Sequence, residues 1–419
     1  MGEHKEKSRI AALSINPHRL RADIDAVNAL GRIDGLPGMN RISFSDADMA
    51  GRRWLMDRLE DAGLTARMDD AGNVFGRWEA GQGAAVLAGS HLDTVPQGGV
   101  YDGTLGVCAA LEAVRAMKGA GIAPVRPVEV VCTADEEGRF GGMFGSQAIC
   151  GEVGPDWIEA AVDDTGVRLA DAMRAQGFDP ARVTARDPGE IAVFLELHVE
   201  QGPVLEKAGI PAGIVSAISG VFNWTVTLSG EANHSGTTPM ELRRDAFRGL
   251  ADFGAAIPSI LAQAGGPETR LTVGKVELSP NFPHSIAGEA VFSIIGRDIE
   301  EARMKALAEA CQGEISRAAR AHGLGVTIVR QSWLPPAPLD PGVVQRLADI
   351  AKSSGVRAQI MPSGAGHDAQ TFSRHCPAGL IFVPSIGGIS HSPNEDTEWS
   401  DVEQGANLLA RAIADFAIS

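Results

Sequence analysis

Residues 85–118 read AVLAGSHLDTVPQGGVYDGTLGVCAALEAVRAMK. The run opens as a short apolar segment, 85–88, of a length that suits a buried strand, then meets a histidine at 91 and a carboxylate at 93. After a glycine-rich bend it turns helical from Thr104 to Lys118. The same succession recurs along the chain. Residues 128–131 run into Asp135, Glu136 and Glu137; 191–197 end on His198; 380–383 lead through GGISH to His391. Such apolar, β-branched runs, bounded by Gly and Pro and separated by helical segments, predict an α/β unit with a mixed, largely parallel sheet flanked by helices. Ligands of open α/β sheets bind beyond the carboxyl ends of the strands. These histidines and carboxylates are therefore expected to converge, although they are spread from position 91 to position 391.

Upstream, Ser45 precedes a helical pattern carrying Met49, Leu55, Met56 and Leu59, with Gly63 as its stop. Downstream, the texture changes between about Val221 and Trp333. FNWTVTLSG alternates like a half-buried strand, 241–264 reads as a helix despite Pro258, and RLTVGKVEL and EAVFSIIGR read as strands. A helix over 300–322 and a strand over 326–330 complete the order β-α-β-β-α-β, which predicts an inserted ferredoxin-like α+β domain. The Pro-rich WLPPAPLDP marks the return to the first unit. The expected boundaries are 1–217 and 333–419 for the first unit and 218–332 for the insert.

Composition narrows the function. The 419 residues, at roughly 150 residues per domain, suggest two or more packed units or one core with a large insertion. A hydrophobic share of 44% and a charged share of 21% are those of an ordinary soluble globular chain. Lys and Arg total 37 against 53 Asp and Glu, and the resulting charge of -16 argues against nucleic acid and anionic membrane surfaces as partners. The opening MGEHKEKSRI lacks the apolar region of a secretory signal, and no run reaches the ~18 apolar residues of a membrane span, so a cytoplasmic location is expected. Five scattered cysteines with no C-x-x-C pair predict free thiols and no cysteine metal site.

Three histidines and several carboxylates at one crevice are the donor set of a divalent-metal site, since imidazole with carboxylate suits zinc, manganese, cobalt or nickel. Asp93, two residues after His91, is placed to fix the tautomer of that ring. Among Asp135, Glu136 and Glu137, one carboxylate can bind metal while a neighbour stays free to take a proton from water. GAGHDA at 364–369 matches a dinucleotide fingerprint only formally, for no helical βαβ unit with a ribose-binding acid follows. Neither a G-x-S-x-G elbow nor a phosphate loop occurs. His4, His18, His322 and His375 match no motif and are expected on the surface, and Tyr101, the single tyrosine, is a candidate for the site wall.

Several longer segments now stand together: SHLDTVPQGGVYDGTLGV (90–107), ADEEGRFGGMFGS (134–146), LELHVEQGPVLE (195–206), ANHSGTTPM (232–240), SGAGHDA (363–369) and SHSPNE around His391. They resemble the hydantoinase/carbamoylase family, within the clan of aminoacylases and carboxypeptidase G, from about residue 20 to the end. That resemblance implies a metal-dependent hydrolase of a linear ureido or amide C-N bond in a small carboxylate substrate, such as an N-carbamoyl amino acid. It implies two divalent ions bridged by Asp102, with His91 and His198 completing one site and Glu137 and His391 the other. Attack would come from a hydroxide bridging the ions, with Glu136 as general base. The insert would be a mobile lid that mediates homodimerisation, and His234 would reach the partner subunit's site to stabilise the oxyanion. Gln201 and Arg297 would contact substrate, Arg297 through its carboxylate, and His367 is a further candidate contact.

The chain departs from the family pattern in the insert. PNFPHSIAGEAVFSIIGR carries His284 where the family has a second Asn facing the substrate carboxylate, Ala287 for a Pro, and Ile295 for an Asp. These changes open the question of substrate. The competing readings are an aminoacylase or exopeptidase acting on acyl or dipeptide substrates, and an inactive binding homologue.

Overall fold

A computed structural model describes residues 9–419; His4 lies outside the described residues. The chain divides into two compact units, one formed by the residues up to Ser216 with Leu339–Ser419, the other by Ala217–Pro338. Along the first unit run the strands Thr65–Met68 (β1), Val74–Trp78 (β2), Ala85–His91 (β3), Val128–Thr133 (β4), Ile191–Val199 (β5) and Ala212–Ile218 (β6). The chain then makes the second unit through Gly220–Ser229 (β7), Arg270–Thr272 (β8), Val276–Ser279 (β9), Glu289–Asp298 (β10) and Gly325–Leu334 (β11). It returns through Ala337–Pro338 (β12), Ala358–Ser363 (β13) and Ala378–Val383 (β14).

The sheet of the first unit is mixed α/β in character, with helices packed on it, in the order β1-β2-β4-β3-β5-β14-β6-β12, and β13 pairs with β6. Its four central strands, β4, β3, β5 and β14, are mutually parallel, while β2, β6 and β12 join antiparallel at the flanks. Every residue of β3, β4 and β14 is buried, which is why these segments are mostly apolar on both faces; the exception within β4, Glu129, is paired with Arg77 and Arg186. Helices Thr104–Gly119 and Trp399–Ala417 pack together against β3 and β5. The register decides where the chemistry lies. His91 pairs with Thr133 of β4, His198 pairs with Phe382 of β14, and Ala88 pairs with Leu195, so His91 and His198 stand at one level, three residues further on.

Local signals explain the flanking helix. Ser45 accepts from Asp48 N at 3.2 Å and caps Asp46–Asp61, worth about 1 kcal/mol. Met49, Leu55 and Leu59 are buried beneath it.

The second unit is a five-stranded antiparallel sheet, β11-β7-β10-β8 with β9 also on β10, and two helices, Ala246–Ala264 and Glu301–Ala321. This is the strand order of a ferredoxin-like fold. The sheet's Phe222, Trp224, Val226, Phe292 and Ile294 form one core with Phe253 and Leu307 of the helices. Several boundaries differ from expectation: the last strand runs Gly325–Leu334 and the unit extends to Pro338, and two differences have a local cause. The first helix begins at Ala246, not 241, because Asp245 caps it by accepting from Phe247 N, and Arg243 turns back to donate to the carbonyls of Ser235 and Thr238. RLTVGKVEL is two strands, since Lys275 leaves the line to exchange hydrogen bonds with Ser293. Among the described residues no helix is long and apolar enough to cross a membrane, and all five cysteines are free.

Candidate metal centre

Each central strand delivers one piece of the site at its carboxyl end. β3 ends on His91, β5 carries His198, the loop after β4 carries Glu136 and Glu137, and the loop after β14 carries His391. Asp102 sits just before the helix Thr104–Gly119, in a turn closed by Gly103. At φ +59, a β carbon on Gly103 would stand 2.4 Å from the His91 ring, so only glycine permits this approach. Asp135, Gln201 and His391 also hold left-handed backbone, at φ 54, 58 and 51. Such conformations cost stability and concentrate at functional sites.

Asp102 is the centre of the arrangement. Its Oδ1 lies 3.1 Å from His198 Nε2 and 3.6 Å from His91 Nε2, while its Oδ2 lies 3.3 Å from His391 Nε2. His391 Nε2 is in turn 3.2 Å from Glu137 Oε2. Two donor groups thus share one carboxylate: His91, Asp102 and His198 on one side, Asp102, Glu137 and His391 on the other. The other imidazole nitrogens of two of these rings face main-chain carbonyls. His198 Nδ1 is 2.9 Å from Val199 O, and His91 Nδ1 is 3.0 Å from Asp93 O, so both rings carry Nδ1–H and turn Nε2 to the centre. Asp93 therefore holds His91 by its main chain, and its carboxylate instead accepts from Glu137 N at 3.1 Å. A third group, Glu196, His198 and His367, also draws on His198. Its Glu196 oxygens already accept from Ser90 Oγ and Ala369 N, which leaves it the poorer ligand set.

Electrostatics favour cations here. Burial raises Glu136 well above the usual carboxylate range, and the groups that push it further are Asp368, Glu137, Asp102 and Asp93, all carboxylates. Glu137 is pushed up to about 10 by burial and by Asp102 and Asp93. Burial would also raise Asp102, but His198 and His391 hold it well below its ordinary value. Glu137 Oε1 is buried without a hydrogen-bond partner. A cluster of largely buried carboxylates with an orphaned oxygen, facing imidazole nitrogens, fits divalent metal, whose charge reverses this electrostatic penalty. Glu136 lies 3.5 Å from His91 Nε2 and belongs to neither donor group. Asp135 turns away, accepting from Phe140 N, and burial pushes it up to about 8.

A profile of peptidase family M20/M25/M40 matches residues 87–415, a span that contains every one of these donors. The chain belongs to this family. Within it, the chain is 36% identical over 390 residues to an allantoate amidohydrolase of Escherichia coli K12, covering 92% of this chain and 94% of that one. It is 36% identical over 397 residues to an N-carbamoyl-L-amino acid amidohydrolase of Geobacillus stearothermophilus, covering 93% and 96%. The crystal structure of a hydantoinase/carbamoylase family amidase from Burkholderia ambifaria superposes with a TM-score of 0.88 at 34% identity over 98% of both chains. Within M20, this chain thus groups with the hydantoinase/carbamoylase family.

The remaining sequence candidates divide between the units. In the first, Gln201 Nε2 donates to Asp102 Oδ2 at 3.0 Å, and His367, buried against the His198 ring, bonds Ser363 Oγ at 3.0 Å. In the second, His234 is exposed, and the amides of Gly236 and Thr237 donate to its Nδ1 at 3.0 and 3.2 Å, so Nδ1 accepts and the ring N–H is on Nε2. His284 is exposed beside it, with its carbonyl accepting from Ser235 N at 3.0 Å. Arg297 lies on β10, and burial lowers its pKa. Tyr101 donates its main-chain N–H to Glu395. Of the histidines outside the motifs, His18 is exposed, whereas His322 and His375 are partly covered and paired with Asp252 and Glu152. Sequence reading passed over Arg41, which is fully buried and donates to Leu92 O, Asn28 Oδ1 and Thr104 Oγ1, tying together the residue after His91 and the helix start after Asp102. No local pattern around Arg41 signals this, because its partners are distant in sequence.

Proposed function

We propose that this M20 chain is a dinuclear-metal amidohydrolase that cleaves a linear ureido or amide C-N bond in a small carboxylate substrate such as an N-carbamoyl amino acid. The observation that carries this reading is the two-sided use of Asp102, one oxygen toward His91 and His198 and the other toward His391. Two divalent ions held there, zinc, manganese, cobalt or nickel, would supply polarisation of water and of the scissile carbonyl. Glu136, largely covered and outside both donor groups, takes the proton of the attacking water and passes it to the leaving nitrogen. His234 offers its Nε2–H to the developing oxyanion. Arg297 binds the substrate carboxylate by a bidentate contact, with His284, Gln201 and His367 as further substrate contacts.

The second unit acts in this reading as a lid and as the dimerisation surface, with His234 serving the partner subunit's site. Its edge strand β11 leaves Val326, Val329 and Trp333 exposed, a surface suited to a second copy of this chain. A turnover screen tests the substrate class: N-carbamoyl α-amino acids, N-carbamoyl-β-alanine, allantoate, and N-acyl and dipeptide substrates on manganese- and zinc-loaded protein. Carbamoyl or ureido turnover is expected; faster acyl or dipeptide cleavage would transfer the chain to aminoacylase chemistry, and no turnover with any metal would leave a binding homologue.

A further inference from the structure

Glu395 is buried, 4% exposed, and no lysine or arginine pairs with it among the salt bridges of the described residues. Its hydrogen bonds explain its position. Oε1 accepts from two successive main-chain amides, Tyr101 N and Asp102 N, both at 3.0 Å. Oε2 accepts from Ser390 Oγ at 2.7 Å, and the same hydroxyl lies 3.3 Å from Asp102 Oδ2. One carboxylate thus grips the backbone of the shared aspartate and the residue just before His391. The approach is tight. A β carbon on Gly99 would stand 2.0 Å from Glu395 Oε1, so the turn before Asp102 is built around this group.

The two donor groups depend on such a grip unequally. His91 and His198 are buried at the ends of hydrogen-bonded strands and are held by main-chain carbonyls. His391 has a side chain 51% exposed, lies in a loop with left-handed backbone, and its ring contacts are the site residues Asp102, Glu137 and Gln201. Its place relative to Asp102 is set by the loop, and the loop is tied to Asp102 through Ser390 and Glu395.

We infer that Glu395 is a positioning residue that locks the His391 loop to the Asp102 turn and thereby sets the ion site formed by Asp102, Glu137 and His391. The inference rests on the two-ion reading above. Glutamine at 395 keeps an oxygen for the two amides and an NH2 for Ser390, whose hydroxyl can then donate to Asp102. Alanine removes both ties.

The test is a titration of metal-free full-length protein with manganese or zinc, read by calorimetry and by metal content after gel filtration, with folding checked by circular dichroism. Wild type is expected to take two ions. Glu395→Ala is expected to bind the weaker ion about 10- to 100-fold less tightly while the tighter ion is nearly unchanged, and Glu395→Gln to restore most of the loss, the usual scale for partners of metal ligands. Ser390→Ala, which leaves the two amide bonds in place, should weaken the same ion by about tenfold and serves if Glu395→Ala fails to fold. Folded Glu395→Ala or Ser390→Ala binding both ions as wild type does would overturn the inference alone. A wild type that takes a single ion would instead overturn the two-ion reading, and this inference with it.

Discussion

Glu136 and Glu137 are chain neighbours with different surroundings. Glu137 stands 3.2 Å from His391 and Glu136 stands 3.5 Å from His91, outside both donor groups. Glu136→Gln should therefore keep the fold and the metal content but lose about 10² to 10⁴ in kcat, the usual worth of a positioned proton shuttle. Retention of more than half the activity in single-turnover and steady-state assays would remove Glu136 from proton transfer. Glu137→Gln should behave differently, lowering metal content before it lowers anything else. At His284 the prediction concerns choice of substrate rather than rate. Asparagine there would return the neutral amide of the family pattern, so His284→Asn should shift relative kcat/KM toward carbamoyl α-amino acids across a common panel. An unchanged ranking would make the imidazole an equivalent replacement.

At the scale of elements, the four central strands were legible because burial on both faces leaves short, mostly apolar runs, broken only by Glu129 and Glu196 before their polar ends, and because His91 and His198 fall at those ends. Helix Asp46–Asp61 was legible from Ser45 and the spacing of its apolar residues. The start of Ala246–Ala264 was not, since it depends on Arg243 reaching back to Ser235 and Thr238, a contact that no periodicity records. Glu395 was missed as an individual residue for the same reason: it lies within SHSPNE, but its partners are main-chain amides 293 and 294 positions away. Local turns also carry a pH dependence. Burial alone would raise Asp163, but hydrogen bonds from Thr165 and Val167 and from Arg139 bring it down to about 2. A carboxyl depressed below its ordinary value near 3.9 stabilises the fold above that value and loses the contribution as pH falls through its folded value. The turn should thus be fully held above about pH 4 and released between about pH 4 and 2. In Asp163→Asn, thermal melts over that range should fall less steeply with acid than in wild type; parallel curves would show that the turn contributes nothing.

At the scale of the whole molecule, both units and their order along the chain could be read before the structure, from buried strands in one and a β-α-β-β-α-β pattern in the other. Function across subunits is a stronger claim. Mixing inactive His234→Ala with inactive Glu136→Gln should restore activity as subunits exchange, because some hybrid sites would combine an intact Glu136 with an intact His234. Exchange without recovery would confine His234 to its own subunit or to a structural role. Everything rests, however, on Asp102 serving two ions. The most direct measurement is anomalous diffraction from crystals of the manganese- or zinc-loaded protein. The expected result is two peaks roughly 3.5 to 4 Å apart, one among His91, Asp102 and His198 and the other among Asp102, Glu137 and His391. A single peak in fully active protein, or a peak among Glu196, His198 and His367, would contradict it.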